Sequence, residues 1–497
     1  MTSAPIGRVV ILGGGTAGWM TAAALSKALE NTGTAITLVE SDAIGTIGVG
    51  EATIPTIHWF NQLVGIDEAE FMQATGATYK MGIEFQGWQG PGSSYLHPFG
   101  TFGGPGDATM FPHRLIRAWL GGLDAPMEDF ALTARAARQG RFTRPTGDPR
   151  SLLSTLGYAY HFDAGLYARF LRSMAERRGV VRIEGKVARI DRDVDSGFVT
   201  ALVTDRGDEA SGDLFIDCSG LRGLLIEETL SAGFEDWSHW LPCDAAWAAP
   251  SAPETTITPY TRAIAMEAGW RWRIPLQHRV GNGYVFSSAF TTTETARDAL
   301  VAAMDSPPIA EPRLIRFTPG RRKRSWIGNV VAIGLSSGFL EPLESTSIHL
   351  IQSGIAKLLS LFPRQDCDPG LARRFDQIFQ REMEDVRDFL ILHYHMTAGR
   401  TEPLWQACQA TPMPDTLATR VEQYRRSGRI ILDTDELFRD ASWFAVMNGQ
   451  GVRAMGYNPM LDATPAAENL RHVEAVRAAI RKSAQELPPV VRPIPAL

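Results

Sequence analysis

The sequence predicts an α/β fold, in which a Rossmann-type module with mixed sheets is joined by a mainly helical module. Three observations support this prediction. The first forty residues have the strand, glycine turn, helix and second strand of a βαβ unit. Two later apolar strands, within residues 213–223 and 329–345, also run into glycine. Amphipathic periodicity indicates helices over 163–178 and 369–390 and in the tail from about residue 464.

Apolar runs bounded by glycine define the individual elements of the βαβ unit. Residues 9–12 form the first strand, 13–18 the turn, 19–29 an alanine-rich helix and 35–39 the second strand. Further along, alternation over 180–204 and 283–292 is typical of antiparallel strands. The Gly- and Pro-rich stretch 89–107 predicts a long exposed loop, a kind of segment that often carries function.

The composition of the 497 residues is that of a globular protein, with 44% apolar and 21% charged residues. A net charge of −6 argues against nucleic acid as a partner. The four cysteines lie far apart without CxxC spacing, which indicates reduced thiols and neither a zinc site nor a disulfide framework. We find neither a signal peptide nor an apolar run that could span a bilayer, so we expect a cytoplasmic protein without a membrane partner.

A dinucleotide-binding signal lies in the first turn. Gly13, Gly15 and Gly18 have GxGxxG spacing between a strand and a helix, and Glu40 ends the next strand. Such glycines allow a pyrophosphate to approach the helix N-terminus, while the acid accepts hydrogen bonds from a ribose. Glu40 fits the ribose of either FAD or NAD. We favour FAD because glycine-ended strands return only near residues 217 and 334, and not in consecutive βα units.

The stretch GVGEATIP, residues 48–55, follows closely and has two interpretations. Its glycines give backbone freedom and Glu51 can serve as a hydrogen-bonding anchor, but a flexible loop explains it equally well. The candidate cofactor-binding residues are Gly13, Gly15, Thr16, Ala17, Gly18, Glu40, Gly48, Val49, Gly50, Glu51, Ala52, Gly334 and Leu335.

The segment AGWRWRIP, residues 268–275, places two indoles on one face of a strand. Alternation puts Trp270 and Trp272 together and the intervening arginines on the opposite face, a pattern that by itself is typical of a core strand. In ATYKMGIEFQGW, apolar alternation from Tyr79 to Phe85 predicts one strand. Lys80 then lies on the other side of that strand, where exposure to solvent is the default expectation.

Acidic and imidazole side chains mark a third region. Glu341 and Glu344 in FLEPLESTSIHL are close enough to share a turn after a glycine-ended strand. A carboxylate there can orient or deprotonate a reacting group, and it can equally be a helix-dipole partner. His393 and His395 in LHYHMT lack the carboxylate pattern of a metal site, so we expect no metal.

Taken together, these motifs resemble the flavin-dependent halogenases of the tryptophan halogenase family. GGGTAGW, GVGEATIP, the lysine of ATYKMGIEFQGW, GWRWRIP and GFLEPLEST occur in the family's order and approximate spacing. The similarity runs from about residue 7 to 405 and includes HFDAGLYARFL and HYHMTAGRTEPLW. GWxWxIP is the discriminating motif, because flavin monooxygenases share the others more loosely. The resemblance implies a hydroxylase-like FAD-binding module of residues 1–360, with substrate-side insertions at about 85–160 and 225–315, completed by a mainly helical part of residues 361–497.

The resemblance also implies a two-component oxidoreductase. Such enzymes bind reduced FAD from a separate flavin reductase and use oxygen to convert chloride or bromide into hypohalous acid. The acid then moves through the protein to a small electron-rich aromatic substrate of the indole type. A homodimer is compatible with this scheme.

Roles on individual residues follow from the resemblance. Trp270 and Trp272, with Ile274 and Pro275, would form a barrier between flavin and substrate. Lys80 would be the catalytic lysine, which reverses the expectation of exposure. Partial desolvation would lower its pKa and permit a haloamine, or the ammonium would hydrogen-bond the hypohalous acid, and both routes stay open.

The resemblance also assigns roles to residues of the acidic loop, by which we mean FLEPLESTS, residues 339–347. Glu344 matches the family's catalytic glutamate, with Ser345 beside it, and would polarise the halogenating species or take the ring proton. Thr346 and Ser347 match the halide-binding pair, although Ser347 stands where the family has glycine. Because a residue with a Cβ adopts positive φ only at a cost, the halide geometry and preference stay open.

The substrate and two rival functions complete the sequence-based picture. The tyrosines and the acid that hold free tryptophan in the family do not match residues 435–455 of this chain, so we expect a smaller indole or another electron-rich ring. The candidates for stacking on it are His97, Phe99, Trp443 and Phe444. The rivals are an FAD-dependent aromatic monooxygenase using NAD(P)H and a non-catalytic flavin-binding redox sensor. GWRWRIP argues against the first rival, and the presence of both Lys80 and Glu344 argues against the second.

Overall fold

A computed structural model describes residues 3–44, 50–433 and 435–491 of the chain. The strands, in chain order, are β1 (Arg8–Leu12), β2 (Ala35–Glu40), β3 (Gly50–Ala52), β4 (Thr78–Lys80), β5 (Gly82–Gln86), β6 (Ser94–Pro98), β7 (Ala159–Asp163), β8 (Val181–Glu184), β9 (Val187–Arg192), β10 (Val199–Thr204), β11 (Glu209–Ser211), β12 (Leu214–Asp217), β13 (Phe234–Asp236), β14 (Ala245–Ser251), β15 (Thr261–Met266), β16 (Gly269–Pro275), β17 (Val280–Phe286), β18 (Arg313–Arg316), β19 (Gly320–Arg322), β20 (Trp326–Ile327), β21 (Val330–Ala332) and β22 (Gly338–Phe339). The helices are α1 (Thr16–Ala28), α2 (Ile57–Val64), α3 (Glu68–Thr75), α4 (Phe111–Leu120), α5 (Leu132–Arg138), α6 (Ala164–Arg177), α7 (Thr293–Ala303), α8 (Ser347–Ser360), α9 (Pro369–His395), α10 (Pro403–Ala410), α11 (Asp415–Ser427), α12 (Asp440–Gly449) and α13 (Ala466–Glu486).

The predicted βαβ unit is confirmed and lies in a six-stranded sheet of order β20-β21-β12-β1-β2-β8. Strand β1 pairs in parallel with both β2 and β12, and β12 pairs in parallel with β21. The carboxyl ends of these parallel strands therefore share one edge, where ligands bind in open α/β sheets. The antiparallel prediction for 180–204 is wrong for β8, which pairs in parallel with β2. Helix α6 precedes β8 as a crossover, and a crossover returns the chain in parallel.

A second, seven-stranded sheet has the order β18-β14-β17-β16-β15-β5-β6. The prediction of one strand over 79–85 is wrong, because the chain changes sheets at Met81. Strand β4 pairs with β7 in a separate three-stranded sheet, while β5 pairs with β15 and β6. The exposed loop expected over 89–107 is also corrected, since it contains β6 and Leu96 is fully buried there. The strand expected over 283–292 ends at Phe286, and Thr292 caps α7 instead.

The predicted helices are confirmed and their ends have local causes. Asp163 caps α6 by accepting from the Leu166 amide, and Asp368 caps α9 by accepting from Gly370. Helix α9 extends to His395, and its last turns are buried in the main hydrophobic core. In the part of the chain that the structure describes, no helix combines the length and apolar character needed to cross a bilayer.

Candidate active site

The glycine turn after β1 has the geometry of a phosphate cradle. Gly13 has φ of 108°, and a Cβ there would lie 2.3 Å from the Cys218 carbonyl oxygen. A Cβ on Gly18 would lie 1.7 Å from the Gly13 carbonyl oxygen, so both positions require glycine. Gly15 is the N-cap of α1 and brings no side chain to its first amides. These N–H groups therefore suit a pyrophosphate, and the residues fit a dinucleotide such as FAD.

Glu40 lies directly against this turn. A Cβ on Gly14 would fall 1.3 Å from Glu40 Oε2, and the other carboxylate oxygen of Glu40 accepts from Arg182. Arg172 lies 3.5 Å from the same oxygen. One face of Glu40 is thus held by arginine, and the other is placed beside the glycine turn.

Of the other cofactor candidates, Gly334 and Leu335 follow β21 of the same sheet, whereas Glu51 belongs to the sheet of β3, β7 and β4. Gly334 follows β21 with φ of 81°, and a Cβ there would approach the Ala17 side chain to 2.8 Å. Leu335 and Ser347 line one small cavity together with Gly334. Glu51 lies in β3, where burial, reinforced by the charge of Asp163, raises its pKa to about 7. Gly48 and Val49 lie outside the described residues.

Lys80 is fully buried, so the exposure predicted from alternation is wrong. Its Nζ donates to the Thr53 carbonyl oxygen at 2.9 Å and to Ser345 Oγ at 2.7 Å, and lies 5.1 Å from the centre of the Phe99 ring. Burial lowers the pKa of Lys80 to about 7, although the nearby charge of Glu344 opposes the shift. Through these hydrogen bonds, Lys80 connects β4 with Thr53 of GVGEATIP and with Ser345 of the acidic loop at one buried point.

Glu344 is equally buried and is held by two imidazoles. Its carboxylate accepts from His97 Nδ1 at 3.0 Å and from His393 Nε2 at 2.6 Å. Burial lowers the pKa of His393 well below its ordinary value, so this ring is neutral near pH 7. The sequence reasoning did not place His393 here. The available signal was that His393 continues the apolar stripe of Val386 and Phe389 along α9.

The backbone of the acidic loop corrects the expectation for Ser347. Positive φ occurs at Ser345, which has φ of 60°, whereas Ser347 begins α8. The predicted conformational cost at Ser347 is therefore wrong, and the strain lies one step from Glu344. Thr346 is fully buried, and its hydroxyl has no hydrogen-bond partner among the described residues.

Trp270 and Trp272 share one face of β16, as predicted, and both are buried. Their ring centres are 6.2 Å apart with an interplanar angle of 56°. A Cβ on Gly283 of the neighbouring strand would lie 2.0 Å from the Trp272 ring, so that glycine makes room for the indole. Ile274 and Pro275 are buried on the same strand, and a Cβ on Gly50 would lie 3.5 Å from Ile274.

The aromatic candidates divide into two groups. Trp443 meets Phe389 edge-on at 4.8 Å, and Phe389 contacts His97 at 5.9 Å between ring centres. Phe444 instead stacks on Trp119 at 6.0 Å. Trp443 is therefore connected through Phe389 to His97, a partner of Glu344, whereas Phe444 packs on another face of α12. No cluster of three metal-ligating side chains occurs in the described ranges.

Lys80 gives a testable pH dependence of stability. Its pKa falls from 10.5 in the unfolded chain to about 7 in the fold. The unfolded chain thus binds the extra proton between pH 7 and 10.5, so this residue's contribution to the free energy of unfolding rises with pH across that window. The difference in free energy of unfolding between wild type and Lys80→Met, measured with urea, should increase by up to about 1.4 kcal/mol per pH unit in that window. A flat difference between pH 7 and 10 contradicts the buried amine.

Comparisons with known proteins give similarities over nearly the whole chain. A sequence model described as tryptophan halogenase matches residues 8–466. The chain is 37% identical to tryptophan 6-halogenase SttH of Streptomyces toxytricini, over 97% of this chain and 96% of that protein. It is 34% identical to tryptophan 7-halogenase RebH of Lentzea aerocolonigenes, over 94% and 93%. Among solved structures, the flavin-dependent halogenase Xcc4156 of Xanthomonas campestris has a TM-score of 0.93 and 46% identity, covering 98% and 97% of the chains. BrvH, a flavin-dependent halogenase from Brevundimonas sp. BAL3, has a TM-score of 0.93 and 44% identity, covering 97% of each chain.

Proposed function

From the premise that this chain belongs to the tryptophan halogenase family and is a flavin-dependent halogenase, we propose that Lys80 and Glu344 carry its chemistry on a small indole. The monooxygenase alternative is not favoured by these relatives. The observation that carries the proposal is the buried meeting of Lys80, Ser345 and Glu344 in one cluster. Residues 80 and 345 are far apart in sequence, yet their side chains lie 2.7 Å apart.

We assign FAD binding to the glycine turn and its neighbours. The amides at the start of α1 would hold the pyrophosphate, Glu40 the ribose, and Gly334 would let the cofactor pass close to α1. Reduced FAD, delivered by a separate flavin reductase, supplies with oxygen the oxidising equivalent that turns halide into hypohalous acid. The chain's own contribution is to bind, orient and separate the reactants.

Halide binding is assigned to the first turn of α8. The N-cap Thr346 brings no side-chain hydrogen bond to the helix amides, which leaves them available to an anion. Its buried, unpartnered hydroxyl offers a further donor to chloride or bromide. Ser347 fits this role despite replacing glycine, because it adopts helical backbone geometry.

The barrier role of Trp270 and Trp272 is supported by their burial and mutual contact. The two large indoles and Ile274, which shares their face of β16, leave little polar surface there, and the buried Pro275 ends the strand. They would keep the substrate away from the flavin, while a small neutral oxidant passes to Lys80. Direct oxygen transfer to the substrate is thereby disfavoured.

Lys80 and Glu344 would divide the chemistry between them. With a pKa of about 7, the Lys80 amine is partly neutral at working pH. The neutral amine can form an N–halogen bond with release of water, and the ammonium can instead donate a hydrogen bond to the hypohalous acid. Glu344, oriented by His97 and His393, would take the proton lost from the substituted ring.

The substrate is assigned as an indole smaller than free tryptophan. Phe99 lies beside Lys80 and His97 binds Glu344, while Trp443 is connected to His97 through Phe389. Of the three acids in 435–455, Asp435, Glu436 and Asp440, Glu436 is connected to Trp443 by Arg420. The Arg420 guanidinium lies 4.4 Å from the centre of the Trp443 ring and binds both Glu436 oxygens at 2.6 and 2.7 Å. That carboxylate is therefore engaged and is a poor partner for an amino-acid ammonium group.

The test is a halogenation assay with reduced flavin regenerated by a reductase, oxygen, and either bromide or chloride. Indole, free tryptophan and phenol are compared, and the products are identified by isotope pattern in mass spectrometry. We expect a halide-dependent monohalogenated product, formed faster from indole than from tryptophan. Catalase and a reaction without enzyme control for hypohalous acid formed in solution. A hydroxylated product independent of halide would refute the assignment.

A further inference from the structure

We propose that Glu341 is a positioning residue that anchors the indole of Trp270 and so keeps the barrier closed. This inference rests on the barrier role proposed above for Trp270. Glu341 belongs to the same loop as Glu344, but it contacts neither Lys80 nor the two histidines in any hydrogen bond of the described structure. Its partners lie on the barrier strand and on α9.

The anchor consists of two short hydrogen bonds to one buried carboxylate oxygen. Glu341 is 1% exposed, and its Oε2 accepts from Trp270 Nε1 at 2.7 Å and from Tyr394 OH at 2.6 Å. Tyr394 is itself held, since its ring stacks on Trp405 at 5.6 Å and its hydroxyl lies 3.4 Å from Cys243 Sγ. The indole N–H of Trp270 is thereby tied to a rigid neighbour.

The anchor also couples the barrier to Glu344. Glu341 precedes the 3-10 turn Pro342–Glu344, so that the two acids stand at its ends. The consecutive residues His393 and Tyr394 of α9 donate to Glu344 and Glu341, respectively. One helix end therefore sets the positions of both acids, and a movement of Trp270 would require this unit to rearrange.

The two barrier tryptophans are held by different means. Trp272 lies against Gly283 of β17, where any Cβ would overlap its ring. Trp270 instead depends on a polar anchor. Burial raises the pKa of Glu341 to about 7. The titratable groups that face it are Tyr394 of α9, Cys408 of α10, and Cys243, which lies just before β14. A hydrogen bond to the ionised carboxylate is stronger than one to the neutral acid, so the anchor should tighten as pH rises through 7.

The first readout needs no flavin. In protein labelled with ¹⁵N-tryptophan, the indole N–H signal of Trp270 is identified by its loss in Trp270→Phe. We expect Glu341→Leu to move this signal upfield, and Glu341→Gln, which keeps an acceptor oxygen, to restore most of its position. In wild type the signal should titrate near pH 7, and in Glu341→Gln it should not. A Trp270 signal unchanged in Glu341→Leu overturns the anchor.

The second readout is the amount of halogenated product formed per reduced flavin consumed. We expect Glu341→Leu to lower it roughly tenfold and Glu341→Gln by no more than about twofold, because leucine removes the buried acceptor of Trp270 and Tyr394 whereas glutamine removes only its charge. Glu235→Leu is the matched control. Glu235 of β13 accepts from the Trp237 indole at 2.9 Å and pairs with Arg321 at 2.8 Å. In the described structure it forms no hydrogen bond with Lys80, Glu344 or Trp270, so its loss should leave the yield unchanged.

The outcomes separate this inference from the proposed function. A yield in Glu341→Leu equal to wild type overturns the positioning role, even where wild type halogenates well. Absence of halogenated product from wild type overturns the proposed function, while the flavin-free Trp270 titration still decides whether the anchor exists. Should Glu341→Leu fail to fold, the pH titration of wild type against Glu341→Gln supports or overturns the anchor by itself.

Discussion

Lys80→Met is expected to lower the halogenation rate by roughly a thousandfold or more, because methionine has a similar length and shape but lacks the amine. The fully buried Lys80 amine donates hydrogen bonds to Thr53 and Ser345 beside Phe99. Among the described residues, no other lysine amine forms a hydrogen bond with either partner. Initial rates of monohalogenated indole formation, with reduced flavin in excess, measure the effect. Flavin binding should be retained, because Lys80 lies outside the glycine turn.

A matched variant tests whether the loss is specific. Lys186→Met removes an exposed lysine between β8 and β9 and should leave the rate within about twofold of wild type, as exposed substitutions usually do. This pair also controls for non-specific trapping of hypohalous acid by lysine amines. Product formed by Lys80→Met at the wild-type rate, with FAD bound, would remove Lys80 from the mechanism.

Glu344→Gln is expected to lower the rate by roughly a hundredfold, within the range found for loss of a general base. Glutamine has the same shape, but its amide group faces a histidine N–H donor, so one imidazole must change tautomer or lose its bond. If Glu344 takes the ring proton, loss of that proton becomes slow in the variant. Substrate deuterated at the reacting carbon should then show a kinetic isotope effect that wild type lacks.

Two further variants complete that experiment. Glu344→Asp keeps a carboxylate at a shorter reach and should have an intermediate rate, while Glu176→Gln on the exposed face of α6 should behave as wild type. An undiminished rate in Glu344→Gln would exclude Glu344 as the base. A diminished rate without an isotope effect would instead favour the role in polarising the halogenating species.

The local elements of this fold could be predicted from the sequence because their signals repeat over short distances. The βαβ unit has apolar strands with glycine between them, and the amphipathic stripes of α6 and α9 have the helical period. Alternation in GWRWRIP also placed Trp270 and Trp272 on one face. Motif order identified the family, and the comparisons confirm it.

The same rule failed where the chain changes sheets. Alternation from Tyr79 to Phe85 assumed one continuous strand, and the change of sheet at Met81 breaks it. His97 lay in a stretch that composition assigned to an exposed loop, although pairing with β5 buries it. Periodicity reports which residues share a face, but it carries no information about what packs on that face.

By itself, the sequence determined the glycine turn, the paired indoles, the helices and the family to which the chain belongs. Only the tertiary structure decided that Lys80 is buried, that His393 holds Glu344, and that Glu341 holds Trp270. The physical reason is that these properties depend on desolvation and hydrogen bonds supplied by segments distant in the chain. A pKa near 7 for Lys80 arises when those segments close over the amine and exclude water, which no local pattern encodes.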